Sequence, residues 1–216
     1  MATPELKVHK LFATPVILAR LDDAEAINRE LLDYFLPLSR GEGGRRHSNL
    51  GGWQSSDDFH TLDLPAAQAL VREVTAVVNA ATAVQTPGGL AEASFAWRMN
   101  AWVNVNPPGA SNALHGHPGA FWSAVYYVDD GGAGPEDGGA LFFQDPRGVL
   151  PAMHDPLLRF RIEDCLTAGY IESIRPEPGL LVVFPAWLLH AVDPFQGSRE
   201  RVSVAFNFGT PGAIAS

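Results

Sequence analysis

Residues 178–209 read PGLLVVFPAWLLHAVDPFQGSRERVSVAFNFG. The apolar run Leu180–Phe184, closed by Pro185, has the length and continuity of a strand buried on both faces, and it leads toward His190. A short polar link follows. Beyond it, Arg201, Ser203, Ala205 and Asn207 alternate with Val202, Val204, Phe206 and Phe208. Side chains two apart in a strand share a face, so one face of this segment packs a core and the other is polar. The polar face fits either water or the interior of a small barrel.

Working outward, the chain from about residue 93 repeats this texture. SFAWRMNAWVNVN, AFWSAVYYV, GALFFQD and YIESIRP are short apolar or alternating runs broken by Gly, Pro, Asp and Asn, which read as strands. DDGGAGPEDGGA reads as a solvated acidic connection near one rim. The earlier part differs. VHKLFATPVILARL reads as a strand, and Ile27, Leu31, Leu32 and Phe35 in DDAEAINRELLDYFLPL recur at helical spacing behind Asp22 and Asp23. A second helix is expected in LPAAQALVREVTAVVNAATAV, with Pro65 in its first turn and TPGG after its end. Helices followed by a run of strands predict a mainly β fold, a compact sandwich or small barrel braced by N-terminal helices. The expected organisation is one domain over 1–216, with a strand and bracing helices in 1–90 and the β core in 93–210.

Composition narrows the function classes. A formal charge of −9 and only two lysines, Lys7 and Lys10, argue against general binding to nucleic acid or anionic membranes, which needs clustered cations. Arg45 and Arg46 sit in the glycine-rich stretch GGRRHSN, which reads as a solvated loop and lacks the pattern of a P-loop. Cys165 is the only cysteine, so an intrachain disulfide and a thiolate zinc cluster are both excluded. The N-terminus has no apolar signal region, and the most hydrophobic stretch is too short to span a bilayer. A cytoplasmic location is the expectation.

Metal chemistry must therefore use His, Asp or Glu, and ALHGHPG at 113–119 offers His115 and His117 one residue apart. On a strand these rings would project toward a shared point roughly 6 to 7 Å wide, at about 3.3 Å per residue, with Pro118 ending ladder pairing. His190 supplies a third imidazole. Asp129 and Asp130 lie at the far end of the next strand, at a distance from the histidine pair. Arg201 and Ser203 on the polar face can hold a carboxylate by a charge-assisted contact. Asn104 on WVNVN and one of Tyr126 and Tyr127 are further polar candidates, and Asn207 can face the same interior. Trp53, Trp122 and Trp187 read as core or pocket walls, His9, His47, His60 and His154 as ordinary surface or capping histidines, and His47 also as a candidate lid residue.

The pattern His-x-[acid]…His with Arg-x-Ser on the next strand resembles the iron(II)- and 2-oxoglutarate-dependent dioxygenases. GGWQS, WVNVN, HGHPGAFWSAVYYV, LFFQDPR, PGLLVVFPAWLLHAV and RVSVAFNF look like a bacterial group of 2-oxoglutarate/iron oxygenases without an assigned substrate; the resemblance covers roughly 47–209. It implies a double-stranded β-helix (jelly-roll, cupin-like) and Fe(II) held by His115, His117 and His190. It further implies 2-oxoglutarate held by Arg201 and Ser203 with Asn104 and Tyr127 nearby, and hydroxylation of a small-molecule or peptide substrate. The chain departs from the wider family in having His117 where an acid is usual, which makes the site one charge more positive. A histidine-only metal dioxygenase of cupin type that uses no 2-oxoglutarate, and a non-catalytic small-molecule-binding module, are the alternatives left open. The sequence is silent on oligomeric state and is compatible with a homodimer.

Overall fold

In a computed structural model of the chain, which describes residues 7–41, 43–45, 48–93, 95–148, 155, 157–158, 160 and 171–209, two antiparallel sheets enclose a common interior. In chain order the elements are β1 (Ile17–Arg20), α1 (Ala24–Gly41), β2 (Asn49–Leu50), β3 (Trp53–Gln54), α2 (Pro65–Ala80), β4 (Val84–Thr86), β5 (Gly89–Ala91), β6 (Arg98–Asn106), β7 (Ser111–His115), β8 (Ala120–Asp129), β9 (Leu141–Gln144), β10 (Ile171–Ile174), β11 (Leu180–Pro185), β12 (His190–Val192) and β13 (Arg201–Gly209). The major sheet runs β1-β11-β8-β13-β6-β3 and the minor sheet β10-β9-β12-β7-β2; β4 and β5 form a separate hairpin. The expected mainly β jelly-roll with N-terminal helices is what the chain forms.

Period-two alternation on the central strands decides which side each residue serves. Val202, Val204, Phe206 and Phe208 of β13, with Trp122, Ala124 and Tyr126 of β8 and Leu181 and Val183 of β11, pack outward against the helices. α1 contributes Ile27, Leu31 and Phe35 and α2 contributes Leu70, Val74 and Val78, each set spaced by four, so each helix lays one apolar stripe on the sheet. Phe59 fills the seam, its ring 5.9 Å from both Phe35 and Phe206. The buried Tyr126 hydroxyl donates to Asn28 Oδ1 at 2.7 Å, which satisfies a polar atom inside this layer. Leu180, Val182 and Phe184 point the other way and meet Leu141 and Phe143 of the minor sheet. That two-sided burial is why β11 reads as unbroken apolar sequence.

Several expectations need correction. Only Ile17–Arg20 of the first predicted strand is a strand, paired with Leu180–Val183 of β11. α1 continues through Pro37 to Gly41. TPGG closes the β4–β5 hairpin, an element the sequence reading missed, as it missed β2 and β3. The acidic glycine-rich connection between β8 and β9 exposes Gly132, Pro135 and Glu136 as expected, but its two ends are packed down, with Gly131 and Gly139 buried. Gly131, Gly132, Gly138 and Gly139 all adopt positive φ, and it is folded down on the fully buried Phe195. Trp187 is 57% exposed rather than a wall, whereas Trp53 and Trp122 do pack in the core layer. Arg46, His47, His154 and Cys165 lie outside the described residues. Among the described residues, no helix is long and apolar enough to cross a membrane.

Candidate metal centre

His190 on β12 is the direct cross-strand partner of His115 on β7, which sets their rings 4.4 Å apart. β7 ends at His115, so His117 is not on the strand as expected. It stands in the turn that Pro118 enforces, where its N–H donates to Ala186 O at 2.9 Å, and its ring still lies 4.9 Å from His115 and 5.2 Å from His190. One ligand atom from each histidine lies within 4.8 Å of the others, a spacing that small side-chain turns adapt to one ion at bonds of ~2.1 Å.

Hydrogen bonds orient two of the rings. His115 Nδ1 is 2.7 Å from Ala113 O and His190 Nδ1 is 2.9 Å from Leu188 O. A carbonyl only accepts, so each Nδ1 carries the proton and each Nε2 is left with its lone pair. Ser48 Oγ, 3.3 Å from His115 Nε2, is the hydroxyl nearest that lone pair. For His117, Nδ1 instead lies 3.1 Å from Asn207 Nδ2, while Asn207 Oδ1 accepts from Ser123 Oγ at 2.7 Å. Burial, then the neighbouring His190 and His115, push His117 down to about 3. Burial lowers His190 to about 4 against the raising effect of the Leu188 carbonyl, with His115 adding a smaller lowering. The Phe184 ring, 4.7 Å from His190, is part of that apolar surround. Both imidazoles are therefore neutral at pH 7, the form that ligates metals.

The inner face of the major sheet completes the cleft. Ser203 on β13 stands between Asn104 on β6 and Tyr127 on β8, so the three form one transverse row. Arg201 begins the face, Ala205 leaves its middle open, and Asn207 ends it beside His117. All four sequence-predicted pocket residues, Arg201, Ser203, Asn104 and Tyr127, line the same cleft as the histidines. Tyr127 faces the cleft and Tyr126 the helices, which settles the choice that periodicity left open. Trp102, 6.0 Å from His117, is a wall the sequence reading overlooked, although it lies two residues before Asn104 on the same face. Ser48 and Asn112 also line the cleft without having been anticipated.

Arg201 is only 2% exposed, and among the described residues no carboxylate pairs with it. Its Nη1 donates to Gly139 O at 2.6 Å, its guanidinium lies 5.7 Å from the Phe195 ring centre, and its Nε has no partner. Burial lowers its pKa from the usual guanidinium value and lifts Tyr127 to about 12, so the phenol keeps its proton. Asn104 Oδ1 is likewise buried and unpartnered. Asp129 and Asp130 are used elsewhere: Asp129 Oδ1 accepts from Arg199 and Gly131 N, and Asp130 Oδ1 from Gly132 N.

A family model described as "Putative 2OG-Fe(II) oxygenase" matches residues 100–207. No curated protein matches the sequence. Among solved structures, a Pseudomonas putida prolyl-4-hydroxylase aligns at TM-score 0.61 and 19% identity over 93% of this chain and 95% of its own. A Trichoplax adhaerens prolyl hydroxylase, in complex with a hypoxia inducible factor peptide fragment, aligns at TM-score 0.63 and 14% identity over 90% and 83%. HygX from Streptomyces hygroscopicus, with nickel and 2-oxoglutarate bound, aligns at TM-score 0.59 and 10% identity over 91% and 83%. At these identities the likeness is one of fold. With half of its length matched by the family and a three-histidine cluster at the heart of the shared fold, the chain belongs to the 2OG-Fe(II) oxygenases, oxidoreductases that work with iron(II) and 2-oxoglutarate.

Proposed function

We propose that His115, His117 and His190 hold Fe(II) and that Arg201, supported by Ser203, Asn104 and Tyr127, holds the distal carboxylate of 2-oxoglutarate. The observation that carries this reading is the buried Arg201, which lines the same cleft as the histidines and has no carboxylate partner among the described residues. A buried cation without a counter-ion costs several kcal/mol, and an anionic ligand offsets that cost. The donor chemistry fits the metal as well, since neutral imidazoles with Nε2 lone pairs suit iron. When bound, the metal and cosubstrate supply the oxidising power: O2 is consumed, 2-oxoglutarate is converted to succinate and CO2, and a substrate C–H bond is hydroxylated.

The chain's own part is positioning. The unpartnered Arg201 Nε and the protonated Tyr127 hydroxyl give donors toward one carboxylate, and Ser203 adds a third in the same row. Ala205 leaves the space between that end and the histidines. Trp102, Phe184 and Leu141 wall the cleft and exclude water from it. The proposed substrate is a small molecule or a peptide side chain and not a nucleic acid, given a net charge of −9 and two lysines. A reducing cytoplasm suits an oxidisable metal and a chain with one cysteine.

The test is anaerobic. Purified protein is reconstituted with Fe(II) and 2-oxoglutarate, and the weak visible charge-transfer band of the chelate is sought in the wild type, Arg201→Ala and His117→Ala. A band that needs both residues is the expected result. Iron uptake with no band would favour the histidine-only dioxygenase, and no iron uptake would favour the binding module.

A further inference from the structure

His115 and His190 fix their tautomers by the same device, a ring Nδ1–H donated to the carbonyl two residues earlier. His117 cannot copy it, because its turn sends its Nδ1 toward β13, where the side-chain amide of Asn207 stands with Nδ2 at 3.1 Å and Oδ1 turned to Ser123, an orientation that a half-turn of the amide exchanges. We infer that Asn207 is a positioning residue of the metal site: its Oδ1 accepts Nδ1–H of His117, so that His117, like the other two histidines, presents Nε2 to the ion. This rests on the three-histidine reading of the site.

Chemistry chooses the direction of the bond. If the amide Nδ2 donated to His117 Nδ1, that nitrogen would keep the lone pair and the neutral ring would carry its proton on Nε2, blocking coordination there. A half-turn of the amide reverses both of its bonds, and Ser123 tolerates the reversal, since a hydroxyl 2.7 Å from the amide accepts from Nδ2 as readily as it donates to Oδ1. Ser123 and Asn207 are direct register partners on β8 and β13, so the central strands of the major sheet hold this pair against the turn carrying His117. Outer partners of this kind typically change metal affinity by about 10- to 100-fold. The position matters more here than in a site with a carboxylate third ligand, because a neutral imidazole has one ring lone pair to offer and the wrong tautomer turns it toward Asn207 and away from the other two histidines.

Co(II) affinity of the metal-free protein, read by titration of its visible absorption, tests the assignment in the wild type, Asn207→Leu, Asn207→Asp and His115→Ala. Expected are loss of binding in His115→Ala, a dissociation constant raised about 10- to 100-fold in Asn207→Leu, and affinity equal to or tighter than wild type in Asn207→Asp. Aspartate can only accept, so it rescues an acceptor role and cannot rescue a donor role. Asn207→Asp binding as weakly as Asn207→Leu, or Asn207→Leu binding like wild type, would overturn the inference. A wild type that takes up no Co(II) would overturn the three-histidine reading and this inference with it. Nitrogen-15 spectra of the wild type loaded with Zn(II) give a readout independent of any variant: Nδ1 of His117 should be protonated, and an unprotonated Nδ1 would refute the assignment.

Discussion

At the scale of single residues, the site depends on what is left unpaired. Arg201 is the sharpest case, because a buried guanidinium with an idle Nε and no carboxylate partner among the described residues weakens the empty protein and strengthens the liganded one. Arg201→Met keeps most of the volume and removes the charge. The metal-free variant should melt no lower than wild type, while 2-oxoglutarate affinity, measured by calorimetry on the Co(II)-loaded protein, should fall by about 2 kcal/mol or more, some 30-fold. A lowered melting temperature would mean that Arg201 serves the fold through Gly139 and Phe195. Ala205 makes the complementary point. It sits between Val125 and Trp102 in the row next to Asn104, Ser203 and Tyr127, and its small side chain leaves the cleft open. Ala205→Leu should retain Co(II) uptake and lose 2-oxoglutarate binding, because the added carbons occupy the span between Arg201 and the histidines and not the histidines themselves.

At the scale of elements, the loop between β8 and β9 is what puts Gly139 O under Arg201. At Gly138, with φ +66, an added Cβ would lie 2.1 Å from Pro194 O, so even alanine must push the β8–β9 and β12–β13 loops apart. Gly138→Ala should cost roughly 1–2 kcal/mol from the backbone conformation alone, with the clash added to it. It should also weaken 2-oxoglutarate binding without reducing Co(II) uptake, readable by denaturant melts and the same two titrations. The sequence could not disclose this loop's work. DDGGAGPEDGGA is polar and glycine-rich, which is the composition of a solvated connection, and its close packing on Phe195 is a tertiary fact. What was legible followed from period two. On β13 the alternation placed Arg201, Ser203 and Asn207 on one face, and on β8 it separated Tyr126 from Tyr127 without saying which faced inward, because both neighbouring layers are apolar. His115 and His117 were recognisable as a chelating pair from their spacing, but the strand geometry assumed for them gave way to a turn, since Gly116 and Pro118 end the ladder at His115, two residues before alternation requires. The short β2, β3, β4 and β5 were missed because two or three residues carry no measurable period.

At the scale of the whole molecule, the jelly-roll acts on the histidines by taking water away from them. The unfolded chain binds protons at these imidazoles near the ordinary value of 6.5, whereas the folded chain does so only near 3 for His117 and 4 for His190. Between those values the unfolded state holds more protons, so the stability of the metal-free protein rises with pH across this window and is lost as pH falls from about 6.5 toward 4. The slope is at most about 1.4 kcal/mol per pH unit for each histidine. Urea midpoints of the metal-free protein should therefore fall steadily from pH 7 to pH 4.5, and a double variant His117→Gln, His190→Gln should show a flatter profile over the same range. Equal slopes in the two proteins would mean that solvent reaches these rings freely and that the fold does not hold them neutral. Adding Zn(II) should raise the midpoint of the wild type at pH 7 and leave the double variant unmoved, because an ion that binds only the folded state stabilises it and uses the same lone pairs that protons would take. The cost of withdrawing the His117 and His190 rings from water, and of burying an arginine with no carboxylate partner among the described residues, thus falls on the empty protein and is recovered on loading, the expected balance for a scaffold whose stability is spent on readiness to bind.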